Sequence, residues 1–496
     1  MTTPTKALTL LIFLFLLNNY GIAQEKQYNI TSYGAKPNGK ELSTKPIQAA
    51  IDAAYKNGGG MVIIPTGHFT SGTIILKDNV ELYLARGAKL LGSTKQEDYP
   101  RQTQRTYRSL RDDSGFFSLI FAEGATNIAI KGNGIIDGQG AEQKGLPNVP
   151  AGDTDGRPRN ILFISCKNID VFGVTLRNSG FWNQHYLNCE DLTIYNIKVY
   201  NHSNRNNDGI DIDGCRRVRL TNSSFDSSDD AICLKSTGLA PCENIIISNC
   251  VVSSFCNGIK MGTESTGGFR NINISNCVVI PSIHPVKPDP RRNSTAIGIT
   301  GISLEIVDGG IMEGINVNNI TIQGTKCPVY VRLGGRNRKH INEAPEPEVG
   351  NMGNISISNI TAYDSENFAC SVTGIPGHKI KNITLSNFNI LQKGGLKQGD
   401  YLAQLEDVKE YEKGYPQPTN WGNLPVSGLF IRHVDGINVS NFSIDANEYD
   451  PRPIFMINDV NGISISNVLV GENCNSKDLI VLKEVTGTKL DFQNAK

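Results

Sequence analysis

The sequence predicts an all-β chain wound into stacked coils, a parallel β-helix with an N-terminal capping helix. Three observations in the 496-residue chain support that prediction. The first is a recurring phrase in which aliphatic residues alternate with polar ones: Cys166-Lys-Asn-Ile-Asp-Val171, Cys189-Glu-Asp-Leu-Thr-Ile194, Cys215-Arg-Arg-Val-Arg-Leu220 and Cys242-Glu-Asn-Ile-Ile-Ile247. Its cysteines are 23, 26 and 27 residues apart, and the phrase returns at 269–274, 312–317, 352–357, 380–385, 434–439 and 460–465. The second is an asparagine at a fixed offset after each phrase, at Asn196, Asn222, Asn249, Asn276, Asn319, Asn359, Asn387, Asn441 and Asn467. The third is composition: 50 Gly, many Asn and Ser, and short Ile/Val triplets in place of long apolar runs, which favours many short strands.

A unit of 20–30 residues built from such strands cannot bury its apolar face alone, so neighbouring units must stack into a continuous core. Leucine-rich repeats share the length but need Leu at nearly every core position and a helix per unit. Here Ile, Val and Asn dominate. Stacked Asn side chains can bridge successive coils by amide hydrogen bonds, and the many Asn-x-Ser/Thr tripeptides follow from the phrase.

In chain order, residues 1–23 read as a secretory signal: Lys6, then an apolar run from Leu8 to Leu17, then Gly21-Ile22-Ala23. The run is too short to span a bilayer and no Cys follows it, so the expected product is periplasmic or extracellular, with neither membrane insertion nor a lipid anchor. Residues 24–115 are expected to form the cap and first coils. Within them 43–56 forms a helix, with Ser43 or Thr44 as N-cap, Pro46 in the first turn, one apolar face of Ile47, Ala50, Ile51 and Ala54, and a stop at Gly58-Gly59-Gly60. Residues 116–496 are expected to carry the β-helix and its chemistry. Insertions at 281–295, 336–350 and 392–425 break the period, and loops of that size usually rim a solenoid's binding face.

Charge excludes some partners. Lys plus Arg and Asp plus Glu both number 48, so no field of either sign points to nucleic acid or an anionic membrane, and a monomer is expected. Eleven cysteines in an exported chain leave at least one outside any internal pairing; four of them fall in the repeat register, where packing explains them without a disulfide. No Cys-x-x-Cys occurs, so no metal site of the zinc type is expected.

Aligning successive strands by inward residues superposes Asp208-Gly-Ile210-Asp-Ile212-Asp213, Asp230-Ala-Ile232-Cys-Leu234-Lys235 and Asn257-Gly-Ile259-Lys-Met261-Gly262. Ile210, Ile232 and Ile259 then fill the core. Asp211, Cys233 and Lys260 form one outward column, with His185 one coil earlier, and Asp213 and Lys235 form another. Asp208 and Asp230 stand one coil apart, roughly 5 Å along the axis, and Asp229 should point to the other side of the chain. Carboxylates so close repel, which raises at least one pKa and provides both a proton donor and a group to polarise water, the two roles glycoside hydrolysis needs. The alternative for the same residues is turn chemistry or a calcium site.

Asn206-Asn207-Asp208-Gly-Ile-Asp and Ser228-Asp229-Asp230-Ala-Ile-Cys-Leu-Lys235 resemble the Asn-Thr-Asp and Gly-Asp-Asp motifs of polygalacturonases, glycoside hydrolase family 28. Arg157-Pro158, Gly173-Val174-Thr175-Leu176, Trp182, His185, Tyr33-Gly34-Ala35, Gly58-Gly-Gly60 and Ile64-Pro65 extend the likeness over nearly all of the mature chain. The resemblance implies a right-handed, pectin lyase-like β-helix that cleaves pectic oligo- or polysaccharide by inversion without a cofactor, with Asp229 as general acid and Asp208 and Asp230 holding the attacking water.

Two departures alter the expected subsite. The family's Gly-His-Gly is here Cys256-Asn257-Gly258, and its Arg-Ile-Lys aligns with Ser303-Leu304-Glu305. Losing two cations and gaining a carboxylate penalises an anionic sugar there. Candidate substrate contacts are His185, Lys235, Asn257, Lys260, Glu305 and Arg332, the last in Glu305's column. Lys260 and Glu305 could instead simply pair, His185 could be structural, and Trp182 and Trp421 could be buried rather than sugar-stacking. The expected substrate is a galacturonate- or rhamnose-containing linkage, cut from a chain end or in branched regions. The rivals are a β-helix polysaccharide lyase using a calcium–acid cluster and a non-catalytic carbohydrate-binding solenoid.

Overall fold

The computed structural model describes residues 26–102, 104–110, 117–146, 156–285, 297–474 and 476–491; the 1–23 leader lies outside them, as does most of the 281–295 insertion. The described chain is a right-handed parallel β-helix of 33 strands, and every strand-to-strand pairing is parallel. The recurring phrase forms one face of each coil, with Ile169, Leu192, Val218, Ile245 and Ile272 in register. These residues are buried, as are Val171, Ile194, Leu220, Ile247 and Ile274. Each aliphatic side chain moved from water into that core contributes roughly 1.5–3 kcal/mol, and it does so by packing on the coil above and below.

The asparagines serve the corners. Asn196, Asn222, Asn249, Asn276, Asn319, Asn359, Asn387, Asn441 and Asn467 all adopt left-handed backbone, which Asn tolerates better than other side chains with a Cβ. Their amides bond from coil to coil: Asn249 to Asn222 at 3.0 Å, Asn387 to Asn359 at 2.8 Å, Asn441 to Asn387 at 2.7 Å and Asn467 to Asn441 at 2.6 Å. A second ladder, which sequence reading did not single out, runs through the phrase itself: Asn168 donates to Asn127 at 3.0 Å and Asn127 to Asn79 at 2.9 Å. Further along the same corner, Gly314, Gly436, Gly462 and Gly487 take over the left-handed position.

The capping helix α1, Thr44–Lys56, buries Ile47, Ala50, Ile51 and Ala54 as expected. Ser43 is its N-cap by position, but no side-chain cap bond forms; the Thr44 hydroxyl accepts instead from Gly72 N at 2.8 Å and so ties the helix start to a neighbouring coil. All eleven cysteines are free thiols. Cys166, Cys189, Cys215 and Cys242 stack in the core, and their thiols donate to carbonyls such as Phe163 O, Tyr186 O and Ile212 O.

Candidate active site

One sheet, here the front sheet, carries the chemistry. Its strands Gln184–Leu187, Ile210–Asp213, Ile232–Ser236, Asn257–Ser265, Gly298–Ile306 and Thr325–Leu333 lie in successive register. Inward, Ile210, Ile232, Ile259, Ile302 and Val329 stack. Outward, His185, Asp211, Cys233, Lys260 and Ser303 form one column, and Leu187, Asp213 and Lys235 a second, which Glu305 and Arg332 share further along. Both columns follow the alternation read from the sequence. Between Leu234 and Ser236 the register with the next strand slips, which brings Glu264 opposite Lys235 at 3.5 Å.

Asp208 and Asp230 sit at the mouths of adjoining strands, where Gly209 N donates to Asp230 O at 2.9 Å. Oxygens of Asp208 and Asp230 lie within 4.8 Å of each other and of the Cys233 thiol, and an oxygen of Asp229 lies equally near Asp230 and Cys256. Asp230 is thus flanked by Asp208 on one side and Asp229 on the other. Asp208 and Asp230 each keep 5% of their side-chain surface exposed, so both open onto the floor of the site, while Asp229 is half-buried at its rim.

Two buried lysines hold the acids together. Lys235 Nζ lies 3.5 Å from Asp211, 3.5 Å from Glu264 and 3.8 Å from Asp208. Lys260 Nζ lies 3.1 Å from Asp230 Oδ2, 3.0 Å from the Tyr415 hydroxyl and 4.0 Å from Glu305. Lys260 therefore belongs first to Asp230 and only weakly to Glu305, which answers the pairing alternative.

The electrostatics divide the acids. Burial, with Asp211 and Asp229 adding like charge, raises Asp208 well above the usual carboxylate range. Burial likewise pushes Asp211 up to about 7 against the pull of Lys235, and Glu305 up to about 7 against Lys260. Asp230 goes the other way: its burial is outweighed by Lys260, Lys235 and the Asn257 amide, which donates to its Oδ1 at 2.6 Å. The two neighbouring carboxyls are thus driven in opposite directions, Asp208 toward its neutral form and Asp230 toward its ionised one. Asn257, standing where the resembled family has histidine, is itself oriented by the Thr300 hydroxyl, which donates to its Oδ1 at 2.7 Å.

Other expected contacts lie elsewhere. His185 is fully buried; its Nε2 meets Asp213 Oδ2 at 3.0 Å, and Asp213 also accepts from the Thr237 hydroxyl at 2.6 Å. Arg332 donates to the carbonyls of Gly374 at 2.9 Å, Glu410 at 2.6 Å and Tyr411 at 3.3 Å and stacks over Trp421, so it anchors the 393–428 loop. Trp182 is buried against Phe181 and His185 with Lys235 Nζ 4.7 Å from its ring centroid, and Trp421 lies in a buried cluster with Leu405, Val408 and Phe430, so neither offers an open face to a sugar ring.

Sequence reading missed four participants. Asp211 was visible in the column between His185 and Cys233 but was not given a role. Glu264 reaches the site through the register slip, Asp213 through His185, and Tyr415 from the distant loop; a periodic pattern carries no sign of the last.

Comparison with known proteins gives a consistent result. Residues 61–412 match the family model described as glycosyl hydrolases family 28. A probable polygalacturonase from Vitis vinifera is 27% identical over 420 residues, covering 81% of each chain. An exo-poly-alpha-D-galacturonosidase from Dickeya chrysanthemi is 29% identical over 255 residues, 42% of each. Among solved structures, a hyperthermoactive exopolygalacturonase from Thermotoga maritima superposes with a TM-score of 0.61 at 23% identity, covering 74% of this chain and 88% of that one. A family 28 exopolygalacturonase from Yersinia enterocolitica gives 0.60 at 19%, covering 95% and 80%.

Proposed function

The chain belongs to glycosyl hydrolases family 28, and from that premise we propose that it cleaves a galacturonate- or rhamnose-containing linkage of pectic polysaccharide by single displacement with inversion. The observation that carries this reading is the placement of Asp208 and Asp230 on adjoining coils, with Lys260 and Asn257 both engaged on Asp230. Asp230, kept ionised by Lys260 and Asn257, takes a proton from water held between it and Asp208, whose raised pKa leaves it able to donate a hydrogen bond to that water. The hydroxide equivalent adds to the anomeric carbon, and Asp229 at the rim protonates the departing glycosidic oxygen. An oxygen of Asp229 lies within 4.8 Å of Asp230, closer than the roughly 6.5–9.5 Å usual for an inverting pair, so inversion rests on the water placed between Asp208 and Asp230 and not on this separation. Asp230 is tied at both oxygens, to Asn257 and Lys260, which suits a fixed base better than a nucleophile that must swing toward carbon.

Two features favour action at a chain end. On one side of the acids, the stretch before Leu110 covers the front sheet: Leu110 N donates to Thr237 O, and Tyr107 accepts from Ala240 N at 2.8 Å and packs on Leu162 and Leu187. On the other side, the 393–428 loop brings Tyr415 onto Lys260. These two segments flank the acids along the front sheet, an arrangement that suits a substrate held by its end. We further infer export, on the strength of the Leu8–Leu17 run and its small-residue end, with residues 24–115 as cap and first coils and 116–496 as the catalytic β-helix.

The lyase alternative requires the acids to hold a divalent cation. Two ammonium groups already lie within 4 Å of Asp208, Asp211 and Asp230, and a third positive centre would be repelled by them. A purely binding solenoid has no use for buried, mutually repelling carboxyls. The test is Asp229→Asn: hydrolysis of pectic oligosaccharides should fall by about 10²–10⁴-fold while sugar binding persists, and NMR of the wild-type product should show inverted anomeric configuration. Retained configuration, or undiminished turnover in the variant, overturns the mechanism.

A further inference from the structure

Resting on the hydrolytic reading above, we propose that Tyr415 is a specificity-determining residue that walls the subsite beside Lys260 and Glu305, and that this subsite takes an uncharged sugar residue against the tyrosine ring. The first argument is placement. The 393–428 loop leaves the coils after Gln392 and rejoins them at Leu429, on a front-sheet strand well past the acids, yet its Tyr415 hydroxyl accepts from Lys260 Nζ at 3.0 Å. Lys260 in turn touches Asp230, so the ring stands two polar contacts from the floor of the site.

The second argument is rigidity. Gly335 N donates to Glu412 O at 2.7 Å, Arg332 to Glu410 O and Tyr411 O, Arg432 to Val408 O at 2.8 Å, and the Trp421 indole to Lys409 O at 2.8 Å. Leu405, Val408, Trp421, Leu424 and Val426 bury themselves against Tyr330 and Phe430. A loop merely crossing the surface would not need such anchoring; this one presents a fixed ring. Tyr415 keeps 49% of its surface exposed, while its hydroxyl is engaged and Lys260 Nζ and Arg336 Cζ approach its ring at 5.3 and 5.9 Å from the centroid. A fixed aromatic face beside reacting groups suits the C–H face of a pyranose.

The third argument is charge. Three described cations near this corner are already paired: Lys260 with Asp230 and Glu305, Arg336 by a two-pronged contact to Asp308, and Arg338 with Glu264 at 2.7 Å and Asp308 at 3.5 Å. Glu305 also keeps one buried oxygen with no hydrogen-bond partner. A uronate carboxylate entering here would meet Asp230, Glu305 and Asp308 while Lys260, Arg336 and Arg338 are already paired, whereas a neutral sugar asks for no cation.

The experiment compares kcat/KM of the full chain on an oligogalacturonide and on its two counterparts carboxyl-reduced at one or the other residue flanking the scissile bond. One reduced form should be preferred by about tenfold or more. Tyr415→Ala should lower kcat/KM on that form by about tenfold, mainly through KM, and erase most of the preference, while Tyr415→Phe, which keeps the ring, should retain the preference. Glu305→Gln should raise the rate on the fully charged substrate and so narrow the gap from the other side. Equal or better hydrolysis of the charged form, or a preference that survives Tyr415→Ala in a protein of unchanged melting temperature, overturns the assignment while leaving the hydrolytic reading intact. No hydrolysis of any of the three overturns both.

Discussion

The coil corners and the front sheet obey the same stacking rule and reach opposite results. At the corners, like residues repeat at about the strand spacing of 4.8 Å, and Asn upon Asn is favourable because each amide both donates and accepts. On the front sheet the same spacing brings Asp208 against Asp230, where like upon like is unfavourable. The chain answers there by interleaving two lysines with the acids and leaving several carboxyls with raised pKa. A β-helix therefore amplifies whatever its columns contain. Where the columns are uniform it gains stability, and where they are mixed it concentrates charge that chemistry can use.

This contrast is broken most sharply at Lys260. Replacing it by Met removes the cation that keeps Asp230 ionised, and loss of one partner from a buried pair costs about 3–5 kcal/mol of stability. Denaturant unfolding should show that loss, and in the fraction that folds the acid limb of the pH–rate profile should move to higher pH as the Asp230 pKa rises. An unshifted acid limb would remove Asp230 as the base.

A change of second rank is Asp211→Asn. The folded-state pKa of Asp211 is raised from 3.8 to about 7, so its contribution to stability is present below pH 3.8 and declines as pH rises toward 7. The amide cannot ionise and escapes that decline. The variant's unfolding free energy relative to wild type, read from denaturant unfolding, should climb between pH 4 and 7 and level off above, with a span on the order of 4 kcal/mol at most. A flat difference across that range would show that Asp211 does not titrate there.

The smallest effect belongs to the uniform region. Asn441→Ala loses a bond to Asn387, one from Asn467, and a residue suited to left-handed backbone, for about 1–3 kcal/mol together. Thermal unfolding should register it with kcat unchanged. A comparable loss at Ser443, beside the ladder on the same strand, would show that the asparagines are not special.

The strand faces and the site's columns were legible in the sequence because a strand alternates faces with period two and a solenoid repeats that alternation coil by coil. Once Ile210, Ile232 and Ile259 are superposed, Asp211, Cys233 and Lys260 must share a column, and they do. The sequence by itself also determined the capping helix, the corner asparagines and the adjacency of Asp208 and Asp230, all consequences of local periodicity. Tertiary structure alone decided which acid is ionised, since that depends on distances from Lys235, Lys260 and Asn257 and on burial that no spacing encodes. It also decided that Arg332 anchors a loop, that Glu264 faces Lys235 through a slipped register, and that Tyr415 stands over Lys260. Periodicity fixes which residues stack, but a non-repeating loop returns to the site wherever its own packing takes it.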